Sequence, residues 1–271
     1  MAIISIPTSY YQQYDADFSL KVPGQGYGGW KKALIKIDTS HTAFVLMHAW
    51  DTGTQKEFAG WHRAVEYFSR AESICQKVLP PLITSIRASD MELFHVVRQG
   101  TYYENYPGFK KPTKIAVSDS DSIGQITDDP IYKNLKKFRY DRVFPGKHNI
   151  SDINQGFARL DFAPQTYPTG KEGIAEDSKQ LASLCKDHGI NHLIYLGFAI
   201  NWCLLMSPGG MLDMDRYGVI CSTIPQAVTA VENKETASTE TNKAIALWRV
   251  SLAFGFIFEL DDIIEMLGKT S

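Results

Sequence analysis

Leu193-Ile-Tyr-Leu-Gly-Phe-Ala-Ile-Asn-Trp-Cys203 runs apolar, breaks at Gly197 and delivers a cysteine six residues later. A short continuous apolar run closed by glycine is the signature of a strand buried on both faces of a parallel sheet. Ligands bind outside the carboxyl ends of such strands, which places Cys203 where chemistry is normally done. A helix beginning at or just after Cys203 would add amide groups and a dipole that favour a thiolate and hold an oxyanion. The same position also suits a small buried hydrophobe, a common state of free cysteines. The segment by itself leaves both readings open.

Upstream, Ala43-Phe-Val-Leu-Met47 is a second short apolar run, and it ends in the polar turn His48-Ala-Trp-Asp-Thr-Gly53. Phe58, Trp61, Val65 and Phe68 then recur at helical spacing, which predicts a helix to about Leu79, an interruption at Pro80-Pro81 and a second helical piece to about Arg87. Met91–Val97 reads as the next strand, so the order is strand, helix, strand, a right-handed parallel unit. Alternation resumes with a weak strand at Glu172–Ala175, a helix over Ser178–His188 closed by Gly189 as a left-handed cap, and the 193–196 strand. A helix at Met211–Tyr217, a strand at Val219–Ile224, a helix around Ala237–Leu252, a short edge strand at Phe254–Phe258 and a terminal helix at Asp261–Leu267 follow. The whole reads as an α/β domain spanning 1–271. Residues 1–40 form an N-terminal extension, and the stretch 99–170 is a loop-rich insertion or lid with a short basic helix near 130–139.

The 271 residues, 44% hydrophobic, suffice for a three-layer core. Cys75, Cys185, Cys203 and Cys221 are scattered, without zinc-ligand spacing, which points to reduced thiols in a cytosol and away from a disulfide framework. A net charge of −2 gives no case for nucleic acid, and the local basic cluster Lys133, Lys136, Lys137, Arg139, Arg142 reads as a solvated helix face. No apolar run approaches a membrane span, and the opening Met1-Ala-Ile-Ile-Ser-Ile-Pro7 has no basic region before a long apolar one. The expectation is a cytoplasmic protein with a small-molecule substrate and no cofactor.

His192-Leu-Ile-Tyr-Leu-Gly-Phe-Ala-Ile-Asn-Trp-Cys-Leu204 and Thr42-Ala-Phe-Val-Leu-Met-His-Ala-Trp-Asp51 together resemble the isochorismatase-like cysteine hydrolases, which include nicotinamidases and carbamoylsarcosine amidases. The resemblance covers roughly residues 42–99 and 170–265. The first segment is similar to that family's Gly-x-x-Thr-x-x-Cys turn, with Ile200 where Thr is usual. The second is similar to its first strand, with His48 where the catalytic Asp is usual. The resemblance implies a three-layer α/β/α sandwich around a mostly parallel sheet, Cys203 as nucleophile, a non-proline cis peptide between Phe198 and Ala199, and an oxyanion hole from the backbone amides of Ala199 and Cys203. It further implies a triad lysine, for which Lys171 is the nearest match, and a homo-oligomer, dimer or tetramer.

His48 has three readings: the general base of a Cys203–His48 pair oriented by Asp51, a bystander whose proton role Asp51 takes over, or the filling of a site that no longer catalyses. Lys171 is either the triad cation or a solvated loop lysine, with Lys147 and Arg159 as rivals. Trp50, Asn201 and Trp202 flank the expected pocket as substrate-binding residues, and core packing explains the tryptophans almost as well. Asp51-Thr-Gly53 matches the aspartic-protease triplet, but that chemistry needs two facing carboxylates and a helical pattern follows here. The metal ligands of nicotinamidase-like relatives have no equivalent after the second strand, so no metal is expected.

Overall fold

A computed structural model describes residues 3–98, 100–109 and 129–270; Gln99 and 110–128, part of the expected insertion, lie outside the described residues. The elements that build the centre are β3 (Thr42–Met47), β5 (Glu92–Val96), β7 (Gly173–Ala175), β8 (His192–Phe198) and β9 (Ile220–Thr229). They form a five-stranded sheet in the order β7-β5-β3-β8-β9, every neighbouring pair parallel. Alternate residues of β3 face opposite layers, as strand geometry requires. Ala43, Val45 and Met47 join a core with Leu181, Leu184, Met211, Met214, Ala246 and Val250. Those residues lie on α6 (Ser178–His188), α7 (Met211–Arg216) and α8 (Thr241–Ala253). Phe44 and Leu46 join a second core with Ala71, Leu82, Ile86, Ile263 and Met266, from α2 (Phe68–Lys77), α3 (Leu79–Ala88) and α9 (Leu260–Leu267). The result is a three-layer α/β/α sandwich around a parallel sheet, as the resemblance implies.

Several boundaries differ from expectation, each for a local reason. The helix expected from Phe58 to Leu79 is two, α1 (Ala59–Ala64) and α2, while Trp61 and Phe68 still pack together across the break. Pro80-Pro81 opens α3 rather than interrupting a helix, because proline fits a first turn whose amides have no intrahelical acceptor. The 1–40 extension is an antiparallel ribbon of β1 (Ile3–Gln12) and β2 (Gly29–Asp38), with Ile6 and Ile37 packed on the second core. The insertion holds α4 (Pro130–Arg142), α5 (Ile150–Ala158) and β6 (Asp161–Phe162), which pairs with β4 (Trp50–Asp51). The expected edge strand Phe254–Phe258 makes only isolated bridges at Ile257, and the Phe256 amide bonds the Ser222 hydroxyl at 2.9 Å instead of entering a ladder. Gly189 caps α6 at φ 68°.

Candidate active site

Strand order alone locates a crevice. The chain leaves β3 toward β5 on one side and leaves β8 toward β9 on the other, so the topological switch point lies between the carboxyl ends of β3 and β8. Met47, the last residue of β3, and Gly197, the last but one of β8, are direct register partners. Gly197 adopts φ 106°, and a Cβ there would collide with the Met47 carbonyl oxygen, so only glycine lets the strands close at this point.

His48 leaves β3 with φ 52°, a conformation that non-glycine residues seldom adopt, and its amide bonds the Val96 carbonyl at 3.1 Å. The ring is buried and stacks on the Trp50 indole, centroids 4.6 Å apart and planes 20° apart. Burial, and secondarily the charge of Arg98, pull its pKa down to about 3, so the imidazole is neutral at physiological pH. A neutral imidazole carries one donor and one acceptor, and among the described residues neither ring nitrogen of His48 has a partner. Buried polar atoms are nearly always satisfied, and an exception calls for an explanation such as a bound group.

On the other side of the crevice, β8 ends in a cis peptide between Phe198 and Ala199, as the resemblance implied. The chain then enters a wide π-helical turn, Ile200–Leu204, in which the Trp202 and Leu204 amides both bond the Ala199 carbonyl, at 3.1 and 3.2 Å. The helical turn therefore starts at Ile200, ahead of Cys203. Cys203 is partly exposed, whereas Cys75, Cys185 and Cys221 are buried. Burial pushes the Cys75 and Cys185 thiols up to about 12 and Cys221 higher still.

A cavity of about 320 Å³ opens beside this point, lined among others by His48, Trp50, Asp51, Tyr67, Glu72, Arg159 and Phe198. Cys203 itself is not in its wall. Tyr67 connects the two: it lines the cavity, and its phenol is raised first by burial and then by the charge of the nearby Cys203. Asp51 is exposed, with Oδ1 accepting the Gly53 amide at 2.9 Å. Arg159 pairs with Glu57 at 3.2 Å and lies over the Phe58 ring.

Other expected residues lie elsewhere or are otherwise engaged. Lys171 is exposed and precedes β7, so it sits at the amino end of the sheet while the crevice is at the carboxyl end. Asn201 donates to the Val231 carbonyl at 2.8 Å and accepts the Val231 amide at 2.9 Å, which commits its amide group to pinning the end of β9. Trp202 is 57% exposed rather than walling a pocket. Trp50 does line the cavity, its indole N–H donating to Tyr102 at 2.8 Å. Tyr67 and Glu72 had no sequence signal, since only the packing of α2 over the sheet brings them to the crevice.

A parallel sheet of order β7-β5-β3-β8-β9 with a cysteine turn at its switch point defines a three-layer α/β architecture. A cysteine hydrolase from Pseudomonas syringae pv. phaseolicola 1448A superposes with a TM-score of 0.54 at 12% identity, covering 87% of this chain and 96% of that one. An isochorismatase-like hydrolase from Alkaliphilus metalliredigens gives 0.47 at 14% identity, over 83% and 98%. N-carbamoylsarcosine amidase from Thermoplasma acidophilum gives 0.43 at 13%, over 81% and 96%. No family profile and no curated protein matches the sequence. The chain thus shares the three-layer α/β fold of the Pseudomonas syringae cysteine hydrolase, at low sequence identity.

Proposed function

We propose that the protein is a cysteine hydrolase that cleaves a C–N bond in a small amide, imide or carbamoyl compound through a Cys203 thioester. The observation that carries this reading is selective exposure: the partly exposed thiol among the four is the one on the turn at the switch point. The Cys203 sulfur attacks the carbonyl carbon, the backbone amides of Ala199 and Cys203 receive the oxyanion, the thiol proton passes to the leaving nitrogen, and the C–N bond breaks. Water then hydrolyses the thioester to a carboxylic acid and the free thiol.

An imidazole held near pH 3 is too weak a base to take a thiol proton at neutral pH. We therefore assign His48 to substrate binding, its two unmet nitrogens meeting a ligand donor and acceptor over the Trp50 face. The proton relay falls to Asp51, and Arg159 is the cation in the cavity wall.

The same weak basicity supports a second reading, a non-catalytic ligand-binding member of the fold. A panel of small amides offered to wild type and Cys203→Ala separates the two. Cys203-dependent ammonia or amine release supports the hydrolase. Silence across the panel together with an inert Cys203 thiol rejects it in favour of binding.

A further inference from the structure

A second cavity, of about 370 Å³, adjoins the first, and Trp50, Tyr67 and Phe68 line both. Trp61 and Ile153 in its wall are buried, whereas Tyr140 and Phe144 stay 45% and 60% exposed and mark its mouth. Protein interiors hold few voids larger than a water molecule, and an apolar cavity of about 150 Å³ already takes benzene. A space of this size falls among small-molecule sites.

Its walls are tied to one another, which holds the space open. The Gly60 amide of α1 donates to the Asp152 carboxylate of α5 at 2.5 Å, and Gly156 of α5 has no Cβ where one would strike the Trp61 ring. The loop between α4 and α5 is fixed as well. The Asn149 side chain donates to the Pro145 carbonyl at 2.9 Å and accepts from Arg63 of α1 at 3.3 Å, and the Gly146 amide bonds the Tyr140 carbonyl at 3.1 Å. A site framed in advance loses little entropy when it is filled.

The lining sets the chemistry of the occupant. Phe157 meets Trp61 at 4.9 Å with planes tilted by 48° and Trp50 edge-on at 6.4 Å, and Trp61 meets Phe68 edge-on at 5.2 Å. None of these pairs is stacked, so ring faces are left for a further ring to meet. An aromatic cage also suits a quaternary ammonium, and charge decides between the two. Among the described residues no lining side chain is charged. Next to the lining positions, Glu66 is paired with Arg70 and Asp141 with Lys137. Arg63, Arg139, Arg142 and Lys147 on the framing segments then outnumber Asp51 and Asp152, a surplus that opposes a cation. The polar groups of the wall are the Asn154 amide and the tyrosine hydroxyls, enough to meet one polar edge of a ring.

We propose that this cavity binds a small, planar, uncharged aromatic molecule of one or two fused rings with one hydrogen-bonding edge, at a site separate from the cavity beside His48. The site is built in part from the chain's own 130–158 segment, and the proposal holds whether or not Cys203 catalyses.

Isothermal titration calorimetry on the full chain tests it with indole, with cyclooctanol as an aliphatic alcohol of the same heavy-atom count, and with phenyltrimethylammonium. Indole is expected to bind at one site with a Kd below about 1 mM, and the other two at least about tenfold more weakly. Asn154→Trp puts a ring into the cavity from an exposed position and is expected to weaken indole about tenfold or more, with the thermal melt unchanged. Tyr140→Ala removes an exposed ring from the mouth and is expected to weaken it severalfold. Gln165→Trp, at an exposed position lining only the cavity beside His48, is expected to leave indole binding as it is. Absence of saturable indole binding overturns the proposal, as does cyclooctanol binding equally well. Tighter binding of phenyltrimethylammonium overturns it in favour of a cation cage. Indole binding that is lost in Gln165→Trp and kept in Asn154→Trp overturns it by moving the ligand to the other cavity.

Discussion

His48 lies nearly parallel to Trp50, ring centroids 4.6 Å apart, with neither imidazole nitrogen bonded among the described residues. Its burial makes His48 a sensor of acid. Its folded pKa of about 3 lies below the ordinary 6.5, burial being the main cause and Arg98 the second. Below about pH 6.5 the unfolded imidazole takes a proton that the folded one refuses. Stability is therefore whole above that pH and falls as pH drops toward 3, by up to about 1.4 kcal/mol per pH unit for each such group. His192, pulled down to about 4 by burial, adds the same sign over a narrower window. Urea midpoints should drop between about pH 7 and about pH 5, and His48→Phe should flatten that slope by one imidazole's share. An unchanged slope in the variant would mean that His48 titrates normally in the folded protein.

Thiol labelling should be selective. In the native protein, iodoacetamide should modify Cys203 and spare Cys75, Cys185 and Cys221, which are buried; in urea all four should react. Peptide mapping reads the outcome, and native labelling spread evenly over the four would remove the observation on which the hydrolase reading rests.

Asn201 was expected to touch substrate, but its amide clamps Val231 from both sides. Asn201→Ala should cost about 2 to 4 kcal/mol, from two lost hydrogen bonds and the Val231 amide left unpaired, the Val231 carbonyl keeping the Asn242 side chain at 3.3 Å. Activity at Cys203 should fall with it, mainly in kcat, because the turn loses its tie to β9. Chemical denaturation alongside steady-state kinetics distinguishes this from a contact to substrate, which would raise KM and leave stability alone.

Gly197→Ala should be among the most damaging small substitutions in the chain. It places a Cβ against the Met47 carbonyl oxygen at a φ of 106°. Strained backbone and overpacking together suggest roughly 3 to 5 kcal/mol. A melting temperature close to that of wild type would show that β3 and β8 can part without cost.

Lys171→Ala should leave activity and stability within error of wild type, since the side chain is exposed at the amino end of the sheet. Arg159→Ala should weaken substrate binding, because Arg159 lines the cavity. The reverse pattern, with Lys171 essential, would place the reacting group at the opposite end of the sheet from Cys203.

The parallel strands were readable because burial on both faces leaves nothing polar in Ala43–Met47 or Leu193–Leu196, and that pattern is local. The cis peptide and its turn were readable from resemblance, since Gly197 and Cys203 keep a spacing that one turn imposes. The α5 helix, with Ile150, Ile153 and Phe157, was legible in principle but was masked by the Pro, Lys and Tyr of the surrounding segment. The break expected at Pro80-Pro81 falls at Val78 and the second helical piece runs to Ala88, because proline both ends and begins helices and only the neighbouring turn tells which.

By itself the sequence determined the buried parallel strands, including the one that leads to the thiol, and the glycine that lets it meet its neighbour, all of which follow from side-chain size and polarity along a few consecutive residues, while the layer architecture was read from resemblance. Tertiary structure decided which polar groups are usable. His48 is disarmed as a base by burial, Asn201 is spent on Val231, Lys171 is on the wrong end of the sheet, and Tyr67 arrives from a helix with no motif. Those properties depend on dielectric surroundings and on partners distant in the chain, which no local pattern of residues encodes.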